Sequence, residues 1–307
     1  MVEADYLMEA SETRAEHPFA PDVTLAIYNP VSGHAGSKLR ARKLVSLLQA
    51  RGYKVVCPHG ALECSRVVLE GVRLGMEAVI IIGGDGTLWE VIAQLPLHVR
   101  IAYYPGGTSN LFALNWNIPR SPDMWMGLLA SGHTRSVRLG CGNGRPFASV
   151  ASVGFDALVV HRTGYPLKQF LSQGAYALQI FPSYLSYSPP KFQITIDGVP
   201  WEEDVLGVIV GRGQHYGGPF HVLPLKDPSL PQLTYAILGG KSKWNIGRFA
   251  VGMLFETLSK MHGVTCGMAT EITVTTTPPS FVQLDGDPCG STPVTFSVEE
   301  TDRTILA

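Results

Sequence analysis

The chain has 307 residues, enough for one large or two ordinary domains, each with its own core. Hydrophobic residues make up 45% and charged residues 16%, which excludes a disordered chain. A formal net charge of -1 lacks the basic excess of a nucleic-acid binder and gives no support to a strongly electrostatic membrane anchor. Cys57, Cys64, Cys141, Cys266 and Cys289 are odd in number and scattered, with no C-x-x-C pair. They argue against a disulfide framework or a zinc site and for reduced thiols in a cytoplasmic protein.

Residues 1–22 read as an N-terminal tail, acidic at its start and without a basic-then-apolar leader pattern. From Val23 strand and helix signals alternate. Residues 23–30 and 53–58 read as strands, and 37–52 and 61–75 as helices, the first with Ala41, Leu44, Val45 and Leu48 on one face. Residues 78–82 form a continuous apolar run, as a parallel strand buried on both faces does. A helix over 87–95, a strand over 99–105 and helices near 108–116 and 121–131 follow. This alternation predicts a doubly wound α/β domain over residues 23–135.

The texture then changes. The longest mostly apolar stretch, Phe147 to Val160, contains serines and Asp156 and is too short to span a bilayer. Short alternating segments at 191–198, 204–211, 232–239, 271–276, 280–286 and 293–299 are separated by Gly, Pro and Asp-Gly turns. They predict an antiparallel β-rich second domain over residues 136–307, with helices near 166–186 and 244–261. The last residues are candidates for a return to the first domain.

Gly83-Gly84-Asp85-Gly86-Thr87 lies between the buried strand and a helix. Phosphate groups need close backbone approach, N–H donors and the positive end of a helix dipole, and glycines permit the approach. An ordinary strand-to-helix turn capped by Asp85 is the plainer reading of this element alone. It is not a Walker loop, because the lysine of that motif is absent. Two further loops fall at the same, carboxyl edge of the predicted sheet: Asn29-Pro30-Val31-Ser32-Gly33 and Pro105-Gly106-Gly107-Thr108-Ser109-Asn110. Ligands of open α/β sheets bind at that edge. Together the loops make one anion-binding crevice.

NPVSG, GGDGT and PGGTSN, in this order and spacing, resemble the nucleotide motifs of the diacylglycerol kinase catalytic-domain family, which includes bacterial lipid kinases and sphingosine kinases. ASVGFDALVV (151–160), HYGGPFHVLP (215–224) and LDGDP (284–288) extend the resemblance over roughly residues 23–298. NAD kinases and phosphofructokinases share a GGDGT-like loop; the other motifs favour the lipid-kinase branch. The resemblance implies an ATP-dependent kinase with its active site in the cleft between the two domains. Asn29, Pro30, Ser32 and Gly33 would contact the nucleotide, and Gly83, Gly84, Asp85, Gly86, Thr87, Gly107 and Thr108 its phosphates. Mg²⁺ would arrive with the nucleotide, and Asp85 would either touch it or fix its own loop.

The family's D-G-[ED] element implies Asp285 as the base that takes the acceptor's proton, with Asp287 in reserve. Local sequence alone reads the same Asp-Gly as a common hairpin turn. Three departures stand out. Cys57 occupies a place where the family often has threonine, and Asn110-Leu111 replaces its common Asn-Asp pair. In residues 224–232 only Asp227 is acidic, so the family's structural metal site is expected to be missing. The apolar segment from Tyr165 to Tyr187 reads as a core-facing helix or as a lipid-facing flap. His215 and His221 read as structural or solvent-facing. The partners expected are a nucleotide, a lipid and a membrane surface met peripherally, with a homodimer open. A non-catalytic nucleotide- or lipid-binding regulator and a kinase of NAD or a sugar phosphate are the alternatives.

Overall fold

A computed structural model describes residues 17–170, 183–213, 215–216, 220–223, 230–242 and 244–307. β1 (Thr24–Tyr28) leads to α1 (Ala35–Gln49), β2 (Lys54–Val56) to α2 (Ala61–Arg73), and β3 (Ala78–Gly83) to α3 (Asp85–Ile92). Next come β4 (Arg100–Pro105), α4 (Leu111–Asn115), α5 (Pro122–Ser131) and β5 (Thr134–Val137). The first four strands pair in parallel, with Leu25 against Lys54, Thr24 against Ala78 and Ala78 against Arg100. Ile80, Ile81 and Ile82 are fully buried, as a central strand covered on both faces requires.

The chain continues through β6 (Gly140–Gly142), β7 (Arg145–Phe147), β8 (Val150–Gly154) and α6 (Phe155–Phe170). β9 (Lys191–Ile196), β10 (Val199–Pro200), β11 (Val205–Gly211), β12 (His215–Tyr216), β13 (Phe220–His221) and β14 (Leu233–Gly239) follow. After α7 (Trp244–Leu254) come β15 (Val264–Ala269), β16 (Glu271–Thr277), β17 (Phe281–Leu284), β18 (Asp287–Ser291), β19 (Val294–Val298) and β20 (Arg303–Leu306). β20 returns to the first sheet, whose order is β2-β1-β3-β4-β20-β5. It lies parallel to β4 and antiparallel to β5.

Twelve of the other strands form two sheets of six, ordered β10-β9-β16-β19-β6-β7 and β15-β14-β11-β8-β17-β18, and β12 pairs with β13 alone. The inner faces of the two six-stranded sheets meet through Phe147, Val153, Ile194, Val208, Ile272 and Phe296, giving an antiparallel β-sandwich. α6 and α7 cover the outer face of the β8-containing sheet. The architecture is therefore an α/β sheet domain followed by a sandwich, as the sequence pattern implies.

Two helices are shorter than their patterns predict. The 108–116 helix starts only at Leu111, because Asn110 takes a left-handed φ of 53° and its side chain bonds back to both backbone groups of Gly107. The 244–261 helix stops at Leu254, where Glu256 turns left-handed at φ 55° and a short 3-10 turn, Leu258–Lys260, follows. Of the segment from Tyr165 to Tyr187, residues 171–182 lie outside the described residues, as do 1–16 of the tail and 224–229.

Candidate active site

The three loops meet at the carboxyl edge of the first sheet. Asn29 Nδ2 donates to Thr87 Oγ1 at 2.8 Å, and Ser32 Oγ lies 3.4 Å from the same hydroxyl. The Gly84 N–H donates to Ser32 Oγ at 3.3 Å, while the Gly106 N–H donates to the Gly83 carbonyl at 2.7 Å. This closeness depends on missing side chains. A Cβ on Gly107 would stand 2.5 Å from Gly84 Cα, and one on Gly33, at φ +74°, would stand 2.3 Å from the Gly106 carbonyl oxygen. Around Gly86 a Cβ would meet nothing within 4 Å, so the crevice is open there. Pro30 belongs to the first loop and Thr108, at the mouth of the third, is exposed.

Asp85 has a partner on the neighbouring loop. Its carboxylate accepts the N–H groups of Leu111 at 3.1 Å and Phe112 at 3.2 Å, capping the first turn of α4. Burial pushes its carboxyl upward, and those amides pull part of the way back. Of the two roles open to Asp85, the geometry supports holding loops together. Cys57 stands just past the end of β2 and is exposed.

From the second domain, the β17–β18 hairpin reaches the same crevice. Its turn, Asp285-Gly286, has φ values of 49° and 80°, so the hairpin reading and the site reading describe one element. Asp285 Oδ1 accepts the Ser149 N–H at 2.9 Å and the Val150 N–H at 2.8 Å. Asp285 Oδ2 accepts the Ala148 N–H at 2.7 Å and the indole Nε1–H of Trp89. Burial pushes the Asp285 carboxyl up to about 7; the amides of Ala148, Val150 and Ser149 oppose this and the charge of Asp85 adds to it. That value suits a general base, but all four acceptor positions are filled. Those donors belong to the protein itself, so no acceptor position of Asp285 is turned to a substrate hydroxyl. Behind the turn, Gln283 Oε1 accepts the Gly286 N–H at 2.6 Å and its Nε2 donates to Ser152 Oγ at 3.0 Å. Ser152 in turn donates to Asp156.

Asp287, at the start of β18, is half-buried and faces Glu90 of α3. Burial first, and the Asp287 charge second, raise the Glu90 carboxyl. The charge of Asp287, from the second domain, thus acts on Glu90 of the first. His215 Nδ1 lies 2.6 Å from Asn115 Oδ1, tying β12 to α4 across the same boundary. Asp227 lies outside the described residues, but the end of its stretch is pinned. Arg212, 2% exposed, donates to the carbonyls of Leu230 at 2.8 Å, Gln232, and Arg138 at 2.9 Å.

The family model for the diacylglycerol kinase catalytic domain matches residues 23–141, and that for the YegS C-terminal NAD kinase β-sandwich-like domain matches 149–306. The chain belongs to the family in which a diacylglycerol kinase catalytic domain is followed by a YegS C-terminal domain. "Probable lipid kinase YegS-like" from Pseudomonas aeruginosa (strain UCBPP-PA14) is 33% identical over 171 residues, 52% of this chain and 54% of that protein. The chain therefore spans about half the length of this relative. The Serratia proteamaculans (strain 568) protein of the same description is 29% identical over 68% of this chain and 69% of its own. Two solved structures from Bacillus anthracis str. Sterne share the fold. One has a TM-score of 0.76 at 21% identity over 93% of this chain and 96% of that one. The other, described as a diacylglycerol kinase, has a TM-score of 0.69 at 18% identity with the same coverage.

The family motifs mark the loops and the hairpin. Trp89, Glu90, the Ala148–Val150 amides and Arg212 carry no such signal. Trp89 reads in sequence as an apolar position of α3, yet it packs against the cores of both domains.

Proposed function

We propose that the protein transfers the γ-phosphoryl group of ATP to the hydroxyl of a diacylglycerol-like or other lipid. The observation that carries this reading is the Asp285–Asp287 hairpin of the second domain seated against the helix that follows the Gly83–Thr87 loop. Phosphoryl transfer needs alignment, charge neutralisation and a proton acceptor more than covalent help. Asn29, Ser32, Gly33, Gly83 to Thr87, Gly107 and Thr108 would hold the nucleotide, with Pro30 shaping the first loop. Asp287 is the better-suited base of the two carboxylates, because Asp285 is committed to four donors. Asp285 is then a positioning residue that fixes the turn carrying Asp287.

Among the described residues no three metal-ligating side chains gather. A Mg²⁺ ion held by nucleotide phosphates needs few protein ligands, and Glu90, whose carboxyl feels the charge of Asp287, is the side chain that would meet it. Bound there, it would neutralise charge on the transferring group. Among the described residues no helix is long and apolar enough to cross a membrane, so a lipid acceptor would be met at a membrane surface.

A kinase of NAD or a sugar phosphate is the second reading, supported by the NAD kinase-like description of the matched second domain. A nucleotide-binding regulator without turnover is the third. Incubating the purified protein with γ-labelled ATP and Mg²⁺ against a lipid panel, NAD and sugar phosphates separates them. Label in a lipid is expected. Label in NAD alone, or ATP binding with no labelled acceptor, overturns the assignment.

A further inference from the structure

α7 turns one side to the second domain and leaves the other bare. Ile246 and Phe249 are buried and pack with Leu206, Ile209 and Ala236 on the outer face of the β8-containing sheet. On the opposite side Trp244 is 76% exposed, Val251 52% and Phe255 73%. With Arg248, also exposed, these stand at helix-turn intervals and so form one stripe. The Phe255 N–H bonds to the Val251 carbonyl at 3.1 Å, so helical geometry continues to the end of the stripe. Apolar side chains scattered singly on a surface need no explanation; three aligned large ones rimmed by polar residues mark a contact surface.

Charge indicates what that contact is. Between Lys241 and His262 the sequence carries Lys241, Lys243, Arg248 and Lys260 against a single carboxylate, Glu256, in a chain whose net charge is -1. The basic excess therefore gathers on this helix and its flanks, where Lys241 pairs with Asp204 at 3.2 Å and Arg248 and Lys260 stand exposed. A stripe of Trp and Phe beside Arg and Lys matches the boundary between lipid headgroups and acyl chains. Position agrees with chemistry. α6 packs on the same sheet face through Phe155 and Leu158. Tyr184 and Tyr187 complete this layer, and Leu185 between them is 59% exposed.

We propose that the Trp244–Arg248–Val251–Phe255 stripe is the face by which the protein docks on an anionic bilayer. Trp244 and Phe255 enter the headgroup–acyl boundary, and Arg248 and Lys260 face the lipid phosphates. The purpose of this docking rests on the lipid-kinase reading, since it brings the cleft to an acceptor that is dissolved in the membrane.

Co-sedimentation of the full chain with vesicles of phosphatidylcholine, alone or mixed with phosphatidylglycerol, tests the proposal. The wild-type protein binds the mixed vesicles better than the neutral ones, and added salt weakens the preference. Trp244→Ala with Phe255→Ala lowers vesicle affinity by about tenfold or more, with an unchanged melting temperature because both side chains are exposed. Arg248→Glu abolishes the preference for the anionic vesicles. All three substitutions leave turnover on a short-chain, water-dispersed diacylglycerol intact. The proposal is overturned if wild-type protein ignores vesicles or if the double variant binds them equally well. It is also overturned if the stripe instead holds a dimer that the double variant breaks. Vesicle binding lost in the double variant, with no acceptor phosphorylated by any protein, sinks the kinase reading and leaves the docking face standing.

Discussion

The indole Nε1–H of Trp89 donates to Asp285 Oδ2 across 196 residues of sequence, and so joins the helix behind the phosphate loop to the turn of the second domain. Trp89→Phe keeps an aromatic ring, though a smaller one, and removes the donor. A hydrogen bond to a charged group is worth about 1.5–3 kcal/mol, so kcat should fall about 10–100-fold while KM for ATP stays nearly constant. Steady-state kinetics check this. Full turnover in the variant removes the clamp from the account.

The glycines of the crevice divide into two kinds. A Cβ at Gly107 would collide with Gly84 Cα at 2.5 Å, so Gly107→Ala should spread the loops and lower both melting temperature and ATP affinity. Gly86→Ala meets no protein atom within 4 Å. It should leave the melting temperature unchanged and still weaken ATP binding, because the open space is where a phosphate would lie. Calorimetry on both variants tests the placement of the nucleotide. Unaltered affinity in Gly86→Ala moves the phosphates elsewhere.

Arg212 holds the carbonyls of Leu230 and Gln232 at the end of the 224–232 stretch to that of Arg138, and burial lowers its pKa to about 10. Arg212→Met strands those acceptors and should cost about 3–5 kcal/mol of stability, read as a shift in the urea midpoint. A loss below about 1 kcal/mol would mean that the loop re-forms without it.

Stability should also depend on pH through the buried carboxyls. The folded-state pKa of Asp285 is raised from 3.8 to about 7, so the folded protein holds that proton more tightly than the unfolded chain. The stabilising contribution is complete below the unfolded value and is lost as pH climbs through the folded one. Urea midpoints should therefore decline between about pH 4 and about pH 7, with Asp85, also raised by burial, acting in the same direction. Asp285→Asn should flatten much of that slope. A midpoint that rises across this window in the wild-type protein contradicts the assignment of the shift.

Much of the first domain was legible because its signals are local. The run Ala78 to Ile82 could hardly be anything but a doubly covered strand, and the glycines that follow it fall where a sheet edge needs them. The second domain was harder. β8 was hidden in the apolar stretch from Phe147 to Val160, where the strand ends on Gly154, at φ 115°, and the helix begins at the next residue. The last residues were candidates for a return to the first domain, but the pairing of β20 between β4 and β5 is long-range and no local pattern specifies it. At the site, motif order brought out Asp85, Asp285 and Asp287, but not how they divide the work. That division depends on which donors fold against each carboxylate, and those donors are backbone amides of Ala148, Ser149, Val150, Leu111 and Phe112, which no side-chain pattern encodes.

On the proposed reading, Asp285 builds the turn and Asp287 receives the proton. Turnover of γ-labelled ATP onto the accepted lipid, measured in Asp287→Asn and Asp285→Asn beside their melting temperatures, tests it most directly. Asp287→Asn should lose about 10²–10⁴ in kcat with ATP affinity and melting temperature preserved, while Asp285→Asn should melt several degrees lower. Wild-type turnover in Asp287→Asn, together with a stably folded but inactive Asp285→Asn, would return the role of base to Asp285.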